Sequence, residues 1–184
     1  EQFWMFLKNV VTKFDWGVSD KLFLGRDVVD IFTQRLPATV IVNLFSILFA
    51  IPIGIALGVF AALKKNTWVD YLISTLTMVV ISVPSFVYAF LIQYIFSFKL
   101  GWLPFLMKSG TDWFSPAMFV SMLPAIMSLA FGTIAGFTRT TRAELTEVLT
   151  SEFMLLARTK GLTKAQATVR HALRNCFVVV VPAI

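Results

Sequence analysis

PATVIVNLFSILFAIPIGIALGVFAAL, residues Pro37–Leu63, decides the fold class: it is 27 consecutive residues without an ionisable side chain. The hydrocarbon core of a bilayer is about 30 Å thick, and a helix crosses it in about 20 residues. A helix also satisfies its own backbone hydrogen bonds, which a lipid solvent demands. Two further blocks repeat the pattern. Tyr71–Phe98 and Trp113–Thr138, 28 and 26 residues long, carry no ionisable side chain other than Tyr. The whole chain of 184 residues is 58% hydrophobic and 14% charged, against about half and a quarter in a soluble domain. That excludes a simple soluble globule, and the high hydrophobicity excludes disorder. The expectation is an all-α membrane protein, a multi-span helical bundle. Its full spans are 37–63, 71–98 and 113–138, and a fourth begins at 176–184. Because both ends are abrupt, the chain reads as a piece of a longer membrane protein.

The connectors set the topology. A tight link, 64–70, joins the first two blocks; 99–112, with Gly101, Pro104 and Gly110, joins the next two. By parity 64–70 and 139–175 share a side, with nine Lys/Arg in 44 residues, against seven in 50 for 1–36 plus 99–112. The bias of cytoplasmic loops toward Lys and Arg makes 139–175 cytoplasmic and 1–36 extracytoplasmic. The same bias accounts for the formal charge of +6 without nucleic acid as a partner. Within 1–36, Phe3, Phe6, Leu7, Val10, Val11 and Phe14 recur at helical spacing. This amphipathic segment either lies along the outer membrane interface or ends a preceding span.

Inside the blocks, Gly54/Gly58 and Gly132/Gly136 are small residues four apart, a spacing that lets helices approach closely. Each block has an interior proline, Pro52, Pro84 or Pro124. Ser82, Pro84 and Ser85 pair the freed backbone with hydroxyls, either as a hinge beside a translocation path or as a static kink. Ion-coupled carriers keep Asp, Glu, His or Arg in the bilayer, and these blocks hold none. If the protein moves solutes, the drive comes from elsewhere. No phosphate-binding glycine loop is present, and the one His (His171) and one Cys (Cys176) lie off each other's helical face. No catalytic residue, resident cofactor or metal site is expected.

Positions 139–175 carry the most specific signals. Thr141–Glu144 fits a capping box, or else continues the third span as one helix. Ser151–Lys160 reads as a short helix: Ser151 caps it, Glu152 sits at its positive end, Arg158 and Lys160 sit at its negative end, and Gly161 follows as terminator. Thr163–Gln166 is a second capping box, opening a helix through Arg174. The run Phe153, Met154, Leu155, Leu156, Ala157 is too apolar for a solvated loop. It either docks into a groove on a partner or lies on lipid headgroups.

These residues resemble a known motif. Ala157-Arg158-Thr159-Lys160-Gly161-Leu162, followed after nine residues from Gly161 by His171-Ala172-Leu173-Arg174-Asn175, is similar to the EAA loop of ABC importer permeases, most of all the oligopeptide/dipeptide branch. Leu155-Leu156-Ala157 take the Glu-Ala-Ala places and Gly161 the glycine. His171 and Arg174 stand where the general form has Ile and Pro, as in the peptide branch. Arg35–Thr39, Ser82–Phe86 and Gly101–Pro104 resemble segments of the same branch, so the likeness covers most of 14–182. It implies spans two to four of a six-span permease with the start of span five, in a cell membrane. It implies a second permease subunit, two cytoplasmic ATPase subunits holding ATP and Mg, an extracytoplasmic solute-binding protein and membrane lipid as partners. ATP hydrolysis then belongs to the partner subunits, and the chain itself is not an enzyme. The short helix becomes the coupling helix, with Glu152, Phe153, Leu155, Leu156, Ala157, Arg158, Gly161, Thr163, His171 and Arg174 as ATPase-coupling residues. The implied cargo is an oligopeptide or dipeptide, and the branch also includes carriers of nickel, sugars and other small solutes. The alternative without the resemblance is a membrane assembly protein whose basic helices bind anionic lipid.

Overall fold

A computed structural model describes residues 2–21, 23–108, 110, 112–159 and 166. Among these residues the structure is helical, apart from one isolated bridge between Val18 and Asp27. The chain forms two compact units, Glu1–Asn43 and Leu44–Ile184.

In the first unit, α1 spans Gln2–Lys13. Phe14 ends it in a left-handed conformation with φ 57°. The Phe14 and Asp15 amides return to the carbonyls of Val10 and Asn9, the hydrogen-bond return that usually needs glycine. A turn closed by Asp15 Oδ1 and the Gly17 amide follows. α2, Val28–Leu63, then starts on Asp27, whose Oδ1 accepts from the Val29 amide at 2.9 Å. This N-cap begins the helix nine residues before Pro37. The charge-free block therefore marks the apolar part of the helix and not its length.

The second unit is built around α5, Pro116–Thr150, on which α3 (Trp68–Ser82), α4 (Ser85–Ile92) and α6 (Glu152–Thr159) all pack. Ser115 starts α5: its Oγ accepts from the Met118 amide at 3.2 Å, and Pro116 takes the first helical position. The helix then runs without interruption past Arg139 to Thr150. Of the two readings of Thr141–Glu144, the continuous helix is the one realised, and Thr141 is buried mid-helix.

The block 71–98 is not one straight helix. α3 and the helical stretch Ser85–Lys99 meet at 97°. Pro84 lacks an amide hydrogen and forces Val83 into an extended conformation, φ −95° and ψ 125°. Tyr88 Oη donates to the Val80 carbonyl, the group to which Pro84 can offer no amide, and Ser82 Oγ bonds back to the Met78 carbonyl within the last turn of α3. α4 passes directly into a π-helical segment, Gln93–Lys99, and Gly101 stops it with φ 65°. Among the described residues, two helices are long and apolar enough to cross a membrane, α2 and α5. The bent pair makes a third if it is one span.

Candidate functional site

The site grows from the link between α2 and α3. Lys64 and Lys65 end α2 with amides bonded to Phe60 and Ala62, and Asn66 turns the chain with φ 62°. Asp70 follows in the first turn of α3, where a carboxylate suits the positive end of a helix. Its Oδ2 accepts from the Asn66 amide at 3.0 Å, and its Oδ1 from Ser74 Oγ at 3.4 Å. Arg142, one turn beyond the last residue of the charge-free block of α5, closes over it. Arg142 Nε donates to Oδ1, and Nη2 to Oδ2 at 2.8 Å. This bidentate pair joins residues 72 apart in sequence. The Asp70 side chain is 1% exposed and that of Arg142 is 30% exposed.

Next to this pair on α5 runs the seam with α2, since a Cβ on Gly58 would also stand 3.1 Å from the Arg142 backbone nitrogen. A Cβ on Gly54 would stand 2.8 Å from the Ile134 carbonyl oxygen, and one on Gly58 2.7 Å from that of Thr138. Only glycine permits this approach. Thr138 Oγ1 donates across it to the Gly54 carbonyl at 3.2 Å, and the Phe45 and Phe119 rings meet edge-on at 5.1 Å. Gly132 and Gly136 are different: a Cβ on either would meet nothing within 4 Å among the described residues. The same spacing therefore makes a packing seam in α2 and none in α5.

At Ser151 the chain leaves α5 with φ −72° and ψ 154° and re-enters helix at once as α6. Ser151 Oγ donates back to the Val148 carbonyl at 2.7 Å. The hydroxyl expected to cap the new helix thus reaches back to the old one. Met154 anchors α6. It is 4% exposed and joins Ala62, Phe137 and Leu145, with Val59, Val148 and Leu149 around them. Leu156, two residues on, is 56% exposed, and Glu152 is exposed too.

Of the expected coupling residues, Glu152, Phe153, Leu155, Leu156, Ala157 and Arg158 fall within α6. Gly161, Thr163, His171 and Arg174 lie outside the described residues. Ser82, Pro84 and Ser85 are exposed at the break between α3 and α4. Three residues that the sequence reading passed over hold the site together. By sequence Asp70 is one residue of a short connector, Arg142 one of the basic residues of 139–175, and Met154 one member of an apolar run. An acid in the first turn of an apolar helix is a signal for the first; nothing local separates Met154 from its neighbours. Among the described residues no three His, Cys, Asp or Glu side chains gather as a metal site.

The chain is 32% identical over 181 residues to the oligopeptide transport system permease protein OppB of Haemophilus influenzae. It is 33% identical over 180 residues to the glutathione transport system permease protein GsiC of Escherichia coli. The dipeptide transport system permease protein DppB of Bacillus subtilis is also 33% identical over 180 residues. Each match covers 98% of this chain but only 55–56% of the relative, so the chain spans about half the length of these proteins. Residues 54–184, from the first packing glycine of α2 onward, match the profile of one family. With its long apolar helices, the chain is an integral membrane protein and belongs to the family of binding-protein-dependent transport system inner membrane components.

Proposed function

We propose that the chain is a permease subunit of an ATP-driven ABC importer for peptide-like solutes, and that it couples transport to ATPase partners through α6. The observation that carries this reading is the placement of α6: an eight-residue helix fixed by Met154 at the end of a 35-residue helix, with Leu156 turned outward. In this reading the residues of α6, with Gly161, Thr163, His171 and Arg174 beyond it, face a groove on an ATPase subunit. ATP and Mg sit on that partner. A second permease subunit completes the path, and an extracytoplasmic binding protein delivers the solute. The side bearing 64–70 and 139–175 is cytoplasmic. The absence of Asp, Glu, His, Lys and Arg from the three apolar blocks supports an external drive, since ion-coupled carriers need such groups. The relatives, permeases for oligopeptides, dipeptides and glutathione, support a peptide-like cargo.

The mechanics follow from the contacts. A displacement of α6 enters α5 through Met154 and its cluster. α5 is locked to α2 by the Gly54/Gly58 seam and to the start of α3 by the Asp70–Arg142 pair. One push therefore moves three helices together. α4 packs on α5 as well, so the break at Pro84 is where a change of angle between α3 and α4 is taken up, and Ser82, Pro84 and Ser85 at that break border the path. An ATPase that contacts the two arrangements differently can then bias between them.

The test is reconstitution of the full-length chain with its partners in liposomes. Gly161→Val should leave insertion and assembly intact while reducing stimulation of ATPase activity by loaded binding protein, because a β-branched residue resists the left-handed turn expected there. Wild-type stimulation in that variant would remove the coupling assignment. Uptake of dipeptides, glutathione and nickel by the same liposomes decides the cargo.

A further inference from the structure

A cleft of about 300 Å³ opens beside the ion pair, between the first turns of α3 and the stretch of α5 that follows its charge-free block. Tyr71, Ser74, Thr77, Thr138, Arg139 and Arg142 line it. Its two guanidinium groups are not equivalent. Arg142 is neutralised by the buried carboxylate of Asp70. Arg139 is exposed and has no acidic partner among the described residues. The cleft thus carries one uncompensated positive charge, with the hydroxyls of Tyr71 and Ser74 beside it. Its depth in a bilayer is fixed by two observations. Arg139 directly follows the last residue of an apolar block, and Tyr71 begins another. Trp68, one turn before Tyr71, is 74% exposed, and exposed Trp and Tyr favour the headgroup level.

We propose that this cleft binds the phosphate group of an anionic lipid, with Arg139 as its charged ligand and the Tyr71 hydroxyl as a neutral donor. A planar guanidinium suits the oxygens of a phosphodiester, and basic pockets between membrane helices take anionic headgroups. The proposal rests on the chain lying in a membrane and not on its being an importer, so either can fail without the other. Arg142 contributes shape: Asp70 neutralises it and holds its Nε and Nη2, and its fixed position sets the cleft wall. A lipid seated here would bridge α3 and α5 on the opposite side of the ion pair from the connector.

The experiment uses the full-length chain in its purified complex, stripped of lipid in mild detergent. Phosphatidylglycerol or phosphatidylcholine is added back; bound lipid is counted by native mass spectrometry and thermal stability is measured in parallel. Phosphatidylglycerol should bind the wild type about tenfold more tightly than it binds Arg139→Gln, the loss of one charge-assisted contact. It should also raise the melting temperature of the wild type more than that of the variant. Phosphatidylcholine should show no such contrast. Arg139→Lys should keep most of the binding and Tyr71→Phe part of it, so the proposal stays open to refutation if Arg139→Gln fails to assemble. Equal phosphatidylglycerol binding in the wild type and in all three variants overturns the proposal. A stabilisation by millimolar inorganic phosphate that matches the lipid, and is lost in Arg139→Gln, overturns the lipid as the source of the phosphate. Loss of a protein subunit from the Arg139→Gln complex, with lipid binding retained, overturns it in favour of a protein carboxylate as the partner of Arg139.

Discussion

Removing either member of the Asp70–Arg142 pair should destabilise the protein, and the two losses should be unequal. In Arg142→Ala the Asp70 carboxylate stays 1% exposed and keeps only the Asn66 amide and the long contact to Ser74. A buried charge stripped of its partner costs about 3–5 kcal/mol. In Asp70→Ala the guanidinium is left behind, but it is already 30% exposed and can turn into water along its aliphatic stem. The remaining loss is the orphaned Asn66 amide and two charged hydrogen bonds, about 1–3 kcal/mol. The double variant Asp70→Ala/Arg142→Ala removes both charges and should be more stable than Arg142→Ala alone. The assay is denaturant unfolding of the full-length chain in bicelles, run as a double-mutant cycle, with hydrogen exchange at Asn66 as the local readout. A coupling of about 1.5 kcal/mol or more is expected for groups in direct contact. The reasoning is refuted if Asp70→Ala costs as much as Arg142→Ala, or if the double variant is the least stable of the three.

Other consequences can be measured on the same chain. Gly58→Ala places a Cβ 2.6 Å from Thr141 Cβ and 2.7 Å from the Thr138 carbonyl oxygen, so α2 must back away from α5 at about 1–3 kcal/mol. Gly136→Ala meets nothing within 4 Å among the described residues and should be neutral or stabilising by up to about 1 kcal/mol; unfolding midpoints of the two variants compare them directly. Met154→Ala should release α6, because an eight-residue helix is marginal without packing and a lost Met costs about 2–5 kcal/mol. Faster hydrogen exchange confined to α6, with α5 unchanged, would be its signature.

What the sequence carried about the fold was the solvent, because charge-free length is a direct record of the bilayer. The breaks came through less well. Pro84 was legible as a disturbance, but Pro52, Pro84 and Pro124 look alike in sequence, and only at Pro84 does the chain turn by 97°. Tyr88 takes up the freed Val80 carbonyl there. The length of α2 was hidden for another reason: its start is set by Asp27, a polar cap outside the apolar block. The glycine pairs show a third limit. On α5 the side chains and carbonyls that meet the glycines of α2 belong to Ile134, Phe137, Thr138 and Thr141, which share one face at 3.6 residues per turn. Gly132 and Gly136 sit about half a turn away, on the other face. The spacing was identical to that of Gly54 and Gly58; only the facing helix distinguishes them.

The ion pair shows why the candidate site was harder to read than the fold. Asp70 lies in a connector of seven residues, and any of the seven basic residues of 139–175 could have been its partner by charge alone. What selects Arg142 is register. α5 continues through Thr141 instead of restarting there, so the helix phase set by the contact of Phe137 and Thr138 with Gly54 is carried rigidly onward. One turn past Thr138 that phase delivers Thr141 to Gly58 and Arg142 to Asp70. Two turns further the same helix buries Leu145 and brings Val148 and Leu149 to Met154. A break at Thr141 would have uncoupled these contacts. The uninterrupted helix makes the glycine seam, the ion pair and the seat of α6 consequences of a single phase. A one-residue insertion between Thr138 and Thr141 would rotate everything beyond it by about 100° and would part Arg142 from Asp70, and Leu145 and Met154 from Ala62 and Phe137, in one step.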